Sequence, residues 1–277
     1  DYRLRHPKKN DLTAYYKFYG NGAAENSLGS TLNMTGMTQS STGLKEKQDV
    51  DFTFSFWLKR PVQGAAVLNQ TVIHKNNEYF VRLGGGINNL QISVFRYDNT
   101  PVAGDGATDT ASWVSSNTFL NNDTNWQHVA IKYDASARTM YFYRNGALIT
   151  TDSTPSNPDY NESENATTAL GIGMISTTFS MPLIGELAHL AMFKHDGGSA
   201  LMSDAEVYKL YDRDGTSGNA SSVAGKVYNL KPVHAKAGDL VGYWHLDEDV
   251  SSTATIKDYS GLSNNGATTG VGTTILT

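Results

Sequence analysis

Residues 125–150 read NWQHVAIKYDASARTMYFYRNGALIT, and this stretch decides the fold. Apolar residues alternate in three short runs, Val129–Tyr133, Thr139–Arg144 and Ala147–Thr151. Alternation at period two marks a half-buried strand. Asp134-Ala-Ser-Ala separates the first two runs and Asn145-Gly146 the last two. Asn-Gly tolerates positive φ at both centres of a type I′ turn, whose twist matches that of the strands it joins. The segment is therefore predicted to be an antiparallel meander. Val129, Ile131 and Tyr133 should share one face, and Ala130 and Lys132 the other.

Outward from the meander the pattern is the same. Leu12–Phe18 (LTAYYKF) and Asp51–Lys59 (DFTFSFWLK) alternate; in the second, Phe52, Phe54, Phe56 and Leu58 share one face and Thr53, Ser55 and Trp57 the other. Val72–His74, Tyr79–Leu83 and Leu90–Tyr97 precede the meander, and Ala169–Gly173 and Leu183–Phe193 follow it. Two long polar loops are expected, over residues 98–112 and 152–168. One helix announces itself: Ser203-Asp-Ala-Glu206 is a capping box, and Val207, Leu210 and Tyr211 supply a short apolar face behind it. Many short strands with regular turns and one brief helix describe an all-β antiparallel sandwich.

Composition narrows the functional classes. The 277 residues contain no cysteine, so no disulfide or thiolate chemistry is available. A chain this long buries roughly three quarters of its unfolded surface and needs no staple. Net charge is −5, with no basic surface of the kind that binds nucleic acid. No apolar run reaches the length of a membrane span, and no signal-peptide core opens the sequence. The six N-x-S/T triplets are what chance gives in a chain rich in Asn, Ser and Thr. The abundance of Gly (26) and Tyr (15) fits a surface protein.

Five motifs occur in the order seen in laminin-G-like (concanavalin A-like) domains: FTFSFWLK, NWQHVAIKYD, LGIG, IGELAHLAMF and LMSDAEVYKLY. Residues 12–212 thus resemble that jelly-roll superfamily. The resemblance implies a lectin-like sandwich and points toward binding rather than catalysis. Four regions are expected: a basic arm (1–11), the sandwich (12–212), a Gly/Ser-rich linker (213–237) and a C-terminal extension (238–277). The extension opens with LVGYWHL (240–246), which mirrors LTAYYKF and is followed by DYSGLSNNGATTG, close to the family's opening motif. Too few residues remain for a second core. The extension must pack on its own sandwich or on a neighbour's sheet edge. The arrangement also resembles phage and marine-virus structural proteins, which implies a virion surface, with a secreted or bacterial cell-surface location as the alternative.

A glycoside hydrolase needs two carboxylates flanking the scissile bond. Counting by two from Glu186 gives Ala188 and Leu190, so no partner stands beside it. No G-x-S-x-G elbow and no H-E-x-x-H spacing is present. His128, Trp126, Trp57 and Tyr133 read as core, and the protein is expected not to be an enzyme. For binding, Tyr97, Trp113 and Tyr160 lie in or beside the long loops and could stack on a sugar ring or anchor the loops. Asp105 with Asp109, and Asp152 with Asp159, Glu162 and Glu164, could supply the oxygen ligands that Ca2+ prefers, or be ordinary solvated loops. Arg3, Arg5, Lys8 and Lys9 make the arm a candidate for docking on an acidic partner within a homo-oligomer or larger assembly. The expected function is a non-enzymatic virion structural and adhesion protein, a capsid decoration or fibre component. The alternatives are a secreted carbohydrate-binding module and, more weakly, a glycoside hydrolase.

Overall fold

A computed structural model describes residues 17–18, 31–34, 50–59, 69–75, 78–84, 91–97, 110–116, 118–120, 125–156, 170–173, 175, 181, 183, 185–212, 234–246 and 255–269. The arm, the linker and most of both long loops lie outside them. So do Tyr160, Asp105, Asp109, Asp159, Glu162 and Glu164, together with Arg3, Arg5, Lys8 and Lys9.

The strands are β1 (Lys17–Phe18), β2 (Thr31–Met34), β3 (Asp51–Lys59), β4 (Gln70–Lys75), β5 (Tyr79–Gly84), β6 (Gln91–Tyr97), β7 (Thr110–Val114) and β8 (Gln127–Asp134). After them come β9 (Thr139–Arg144), β10 (Ala147–Asp152), β11 (Leu170–Ile172), β12 (Gly185–His195), β13 (Leu240–Trp244), β14 (Thr255–Ile256) and β15 (Gly266–Thr269). Helix α1 (Asp204–Tyr211) is the α-helix among the described residues. The strands form two antiparallel sheets. The first runs β1-β12-β3-β8-β9-β10, with β13 also on β12; the second runs β14-β15-β2-β11-β4-β5-β6-β7. The fold is the all-β sandwich expected.

Local chemistry explains the meander. Asn145 (φ 49°) and Gly146 (φ 78°) hold the positive dihedrals of the turn between β9 and β10. At the other turn the Asp134 carboxylate accepts from the Ser136 hydroxyl (2.8 Å) and the Ala137 amide (2.9 Å). Alternation then sorts the faces. Phe52, Phe54, Phe56, Val129, Ile131, Tyr133, Met140 and Phe142 point into the space between the sheets, where Val72, Val81, Ile92, Val94 and Trp113 of the second sheet meet them. Arg96 is also fully buried there, its guanidinium 4.7 Å from the Tyr133 ring and 5.1 Å from Phe52.

Alternation fails in β12. A bulge between Ala188 and Ala191, with His189 at φ 51°, shifts the phase of β12. Leu190 therefore joins the inner core, and Ala191 and Phe193 turn outward. The expectation that Ala188 and Leu190 share a face is corrected by that extra residue.

Residues 240–246 and 255–269 pack on the chain's own sandwich. β13 pairs with β12 in the first sheet, and β15 pairs with β2 in the second. Both sheets therefore include strands that lie beyond residue 212. The D-x-S-G-x-x-N-x-G loop is tied to β13 by Asp258. Its Oδ1 accepts from the amides of Tyr243 (2.9 Å) and Ser260 (2.8 Å), and its Oδ2 from the Ser260 hydroxyl (2.6 Å) and the Asn264 amide (2.9 Å). Trp244 enters the main core and donates its indole N–H to the Asn264 carbonyl at 2.9 Å. Its ring lies across Gly242, where a methyl group would collide with it. The mirrored pair in the first copy is Ala14 and Tyr16, a larger residue beside a smaller ring.

Helix α1 covers the outer face of the first sheet through Val207 and Leu210, against Ala130, Tyr143, Ala191 and Phe193. The capping box is complete: the Glu206 amide donates to Ser203 Oγ at 3.3 Å, and the Ser203 amide donates to the Glu206 carboxylate at 2.7 Å. Asp204 at the helix start accepts from Lys132 Nζ (3.0 Å) and Tyr143 Oη (2.5 Å). The Tyr143 bond, then Lys132, holds the Asp204 carboxyl below the usual range. Burial, then Asp204, drives the Tyr143 phenol up. Ser203→Ala should lower stability by about 1 kcal/mol in urea unfolding; an unchanged midpoint would mean that sheet packing alone sets the helix.

Candidate functional site

The sequence-read binding residues do not come together. Trp113 is fully buried, its ring edge-on to Tyr133 at 5.4 Å and its indole N–H donating to the Arg138 carbonyl at 3.0 Å. It is a core residue, and the sugar-stacking expectation is corrected by its burial. Tyr97 ends β6, opposite Thr110 of β7. Asp152 braces the loop rather than facing an open cavity. Its carboxylate accepts from the Val114 amide (2.8 Å) and from the Thr154 amide and hydroxyl (3.0 Å each). Ser156 adds bonds to Ser112, so residues 152–156 cover the free edge of β7. No metal-ligating group of three or more acidic or histidine side chains exists among the described residues.

One constellation has the look of a catalytic relay. Thr53 Oγ1 lies 3.0 Å from His195 Nε2, and His195 Nδ1 lies 2.8 Å from Asp239 Oδ2. Asp239 also accepts from the Ser199 hydroxyl at 2.6 Å. Thr53 and the His195 side chain are wholly buried, so the hydroxyl has no path to a substrate. The relay fastens the segment before β13 to the first sheet. Burial lowers the His195 imidazole pKa more than Asp239 restores it.

The outer face of the second sheet carries a row across neighbouring strands, His74, Phe80 and Phe95, with the Arg82 guanidinium 4.5 Å over the Phe95 ring. Burial pushes the His74 pKa down from 6.5 to about 4. The fold therefore favours the neutral ring. Stability from this group is full above about pH 6.5 and is lost as pH falls toward 4, an amount on the order of 3 kcal/mol. His195 shifts the same way and adds to it. Urea midpoints should fall between pH 7 and 4.5, and the fall should be smaller in His74→Gln; an equal fall in both proteins would contradict this assignment.

A half-open aromatic cluster lies on the outer face of the first sheet, where the β9–β10 turn meets the end of α1. Trp57 of β3 sits opposite His128 of β8 and Ala188 of β12. Its ring stacks 5.8 Å from Tyr211 and lies 5.3 Å from His128. The His128 ring is set by Ser55 Oγ, 2.9 Å from Nε2. Trp126 flanks the cluster half-buried, with Lys59 Nζ 5.9 Å from its ring centre. Tyr208 is 40% exposed and meets Tyr211 edge-on at 5.9 Å. Burial, then Tyr208 and Asp212, raises the Tyr211 phenol pKa, so the group stays protonated at neutral pH.

Trp57 Nε1 is buried in this cluster without a hydrogen-bond partner. Gly146 lets the helix come close: an added Cβ would sit 2.8 Å from Tyr208 Cδ2 and 3.1 Å from Tyr211 Cδ1. Gly146→Ala should cost about 1–2 kcal/mol through positive φ and this contact, read as a lowered urea midpoint; no loss would mean the tyrosines yield freely. The sequence reading placed Trp57 correctly in the interior, but Trp126 stands at the margin. Tyr208 escaped notice because helical spacing shows which residues face the sheet, not what borders them.

No curated protein matches this sequence significantly. Among solved structures, a putative carbohydrate binding protein from Bacteroides ovatus is 15% identical with a TM-score of 0.47, over 81% of this chain and 53% of that one. This chain thus spans about half the length of that protein. The SAP-like pentraxin of Limulus polyphemus is 13% identical with a TM-score of 0.47, over 86% and 94%. The Ruminococcus gnavus sialidase CBM40, bound to alpha2,3 sialyllactose, is 13% identical with a TM-score of 0.45, over 71% and 100%. The Laminin_G_3 family, described as the concanavalin A-like lectin/glucanases superfamily, matches residues 35–196, more than half of the chain. With its two antiparallel sheets and capped helix, this chain belongs to the concanavalin A-like lectin/glucanases superfamily.

Proposed function

We propose that this protein is a non-catalytic, carbohydrate-binding adhesion module of a surface assembly, and that the assembly is a virion bearing it as a capsid decoration or fibre component. The observation that carries the binding reading is the cluster of Trp126, Tyr208 and Tyr211, part-exposed rings mounted on a rigid sheet and a capped helix. Aromatic faces on a fixed scaffold bind the apolar face of a sugar with little ordering cost. Support for the non-catalytic reading comes from the buried Thr53–His195–Asp239 relay and from Ala188, which stands two residues after Glu186 on β12, where a same-strand carboxylate pair would need its second member.

The virion reading rests on sequence: the basic arm with Arg3, Arg5, Lys8 and Lys9, and the Gly/Ser-rich linker ahead of a late strand. In this reading the arm docks on an acidic surface of the assembly and the sandwich faces outward. A secreted carbohydrate-binding module would use the same cluster without the arm. Calcium, if used, is held by the loop acids Asp105, Asp109, Asp159, Glu162 and Glu164, since Asp152 is engaged in bracing its own loop.

A glycan array probed with the intact chain and with Trp126→Ala, each with and without chelator, tests the binding reading. Binding that the substitution removes is expected, and loss of signal in chelator would assign the calcium. Absence of binding under every condition would sink the proposal. Deleting residues 1–11 should abolish co-assembly and leave glycan binding intact; unchanged assembly would favour the secreted module.

A further inference from the structure

We infer that the closing segment, residues 234–246 with 255–269, is an acid-released latch: protons taken up by histidines along its seat free it from a sandwich that stays folded. Six of the seven histidines lie among the described residues. Four of those six, His189, His195, His234 and His245, stand where this segment meets the rest of the molecule. All four are buried, from 2% exposed at His245 to 7% at His234. Burial disfavours the charged ring, so a seam lined with histidines is tied to pH.

At one end of the seam, the Lys236 amide donates to His234 Nδ1 at 3.1 Å, and His234 Nε2 lies 3.0 Å from the Glu206 carbonyl oxygen on α1. Only the neutral ring, with its proton on Nε2, satisfies both. A second proton sets N–H against N–H in the turn that leads into β13. The charged groups facing this ring are Lys236 and the Glu206 carboxylate, which is held by the amide and hydroxyl of Ser203. His195 faces Asp239, Lys236 and Asp51. Burial outweighs the pull of Asp239 and lowers the His195 pKa, so its contribution is full above the ordinary value of 6.5 and is lost as pH falls.

At the other end, the His189 amide donates to the His245 carbonyl at 3.2 Å, and the two rings are 5.5 Å apart. His189 Nδ1 lies 3.2 Å from Tyr243 Oη, and the His245 ring stacks on Tyr259 at 3.9 Å. Lys257 Nζ, 5.0 Å from the centre of the Tyr259 ring, already supplies a positive charge here. The Asp258 carboxylate beside it is taken up by four hydrogen bonds. Two imidazolium rings this close and this buried repel each other. The segment joins the sheets through β12 and β2, which also pair with β3 and β11. It can therefore open while those pairs remain. His74 sits on β4, which does not pair with the segment, so its titration acts on the sandwich instead.

Amide hydrogen exchange on the full chain between pH 7.5 and 5, corrected for the intrinsic rate at each pH, reads the latch strand by strand. Protection of residues 240–246 should fall at least about tenfold more than that of β3 and β8. A double variant, His234→Gln with His245→Phe, keeps a ring against Tyr259 and removes two titrating groups. In it the extra fall should shrink to under about threefold. Should the double variant fold poorly at pH 7.5, His234→Gln alone decides, again by a smaller extra fall. Protection lost equally from β3 and β13, or lost from β13 to the same extent in the variants, would overturn the latch. Neither outcome touches the glycan-binding reading, on which this inference does not rest.

Discussion

Asp258→Ala should lower the unfolding free energy by about 3–5 kcal/mol, the largest effect expected of any single polar substitution here. The carboxylate is 6% exposed and accepts four hydrogen bonds. Alanine strands the amides of Tyr243, Ser260 and Asn264, whose bonds to the carboxylate are buried. Asn264 in turn donates its side-chain amide to the Val241 carbonyl at 2.9 Å and supplies the acceptor for Trp244. Loss of the carboxylate therefore loosens β13, β14 and β15 together. Asp258→Asn should be nearly as damaging, because whichever oxygen the amide nitrogen replaces, it turns a donor toward two of the four donors. Urea unfolding reads the difference; a loss under about 1 kcal/mol would mean that pairing of β13 with β12 suffices without the loop.

Trp113→Ala should cost a similar 3–5 kcal/mol, here by leaving a cavity between the sheets. The ring fills space against Tyr133, and its N–H closes the β8–β9 turn by bonding the Arg138 carbonyl. Trp126→Ala should behave in the opposite way, costing under about 1 kcal/mol of stability because its ring is only half-buried, yet removing glycan binding. Comparing the two variants by calorimetry and glycan titration separates a core tryptophan from a platform tryptophan. Loss of binding in folded Trp113→Ala, with Trp126→Ala unaffected, would return the site to the long loops.

The contrast shows where the sequence was readable. The strands β3, β8, β9 and β10, the Asn-Gly turn and the capping box are set by chemistry within a few residues, so alternation and turn residues revealed them. β7 was hidden in a polar loop because it is short and its inward residues are Ala111 and Trp113, one of them small. The phase of β12 was misread because a bulge leaves no signature in composition. The closing strands were noticed as a repeat, but their seat depends on which edge of β12 and β2 stands open, a property of the whole sandwich. The same holds for the site. Trp113 and Trp126 both stand near polar stretches, and what separates them is the partner across the sheet: Tyr133 in the core for one, the exposed end of α1 for the other. Tyr208 and Tyr211 gain their setting only from the turn at Gly146.

The four tryptophans allow one direct measurement. In a 15N-labelled sample, each indole N–H gives its own resonance, and titration with the best-bound glycan should shift that of Trp126 and, through the Tyr211 ring stacked on it, that of Trp57. The resonances of Trp113 and Trp244, already committed to the Arg138 and Asn264 carbonyls, should stay in place. Saturable shifts confined to Trp57 and Trp126 are the predicted result. Binding that leaves both unmoved, or that moves Trp113 alone, would contradict the assignment of the site to the helix-capped face.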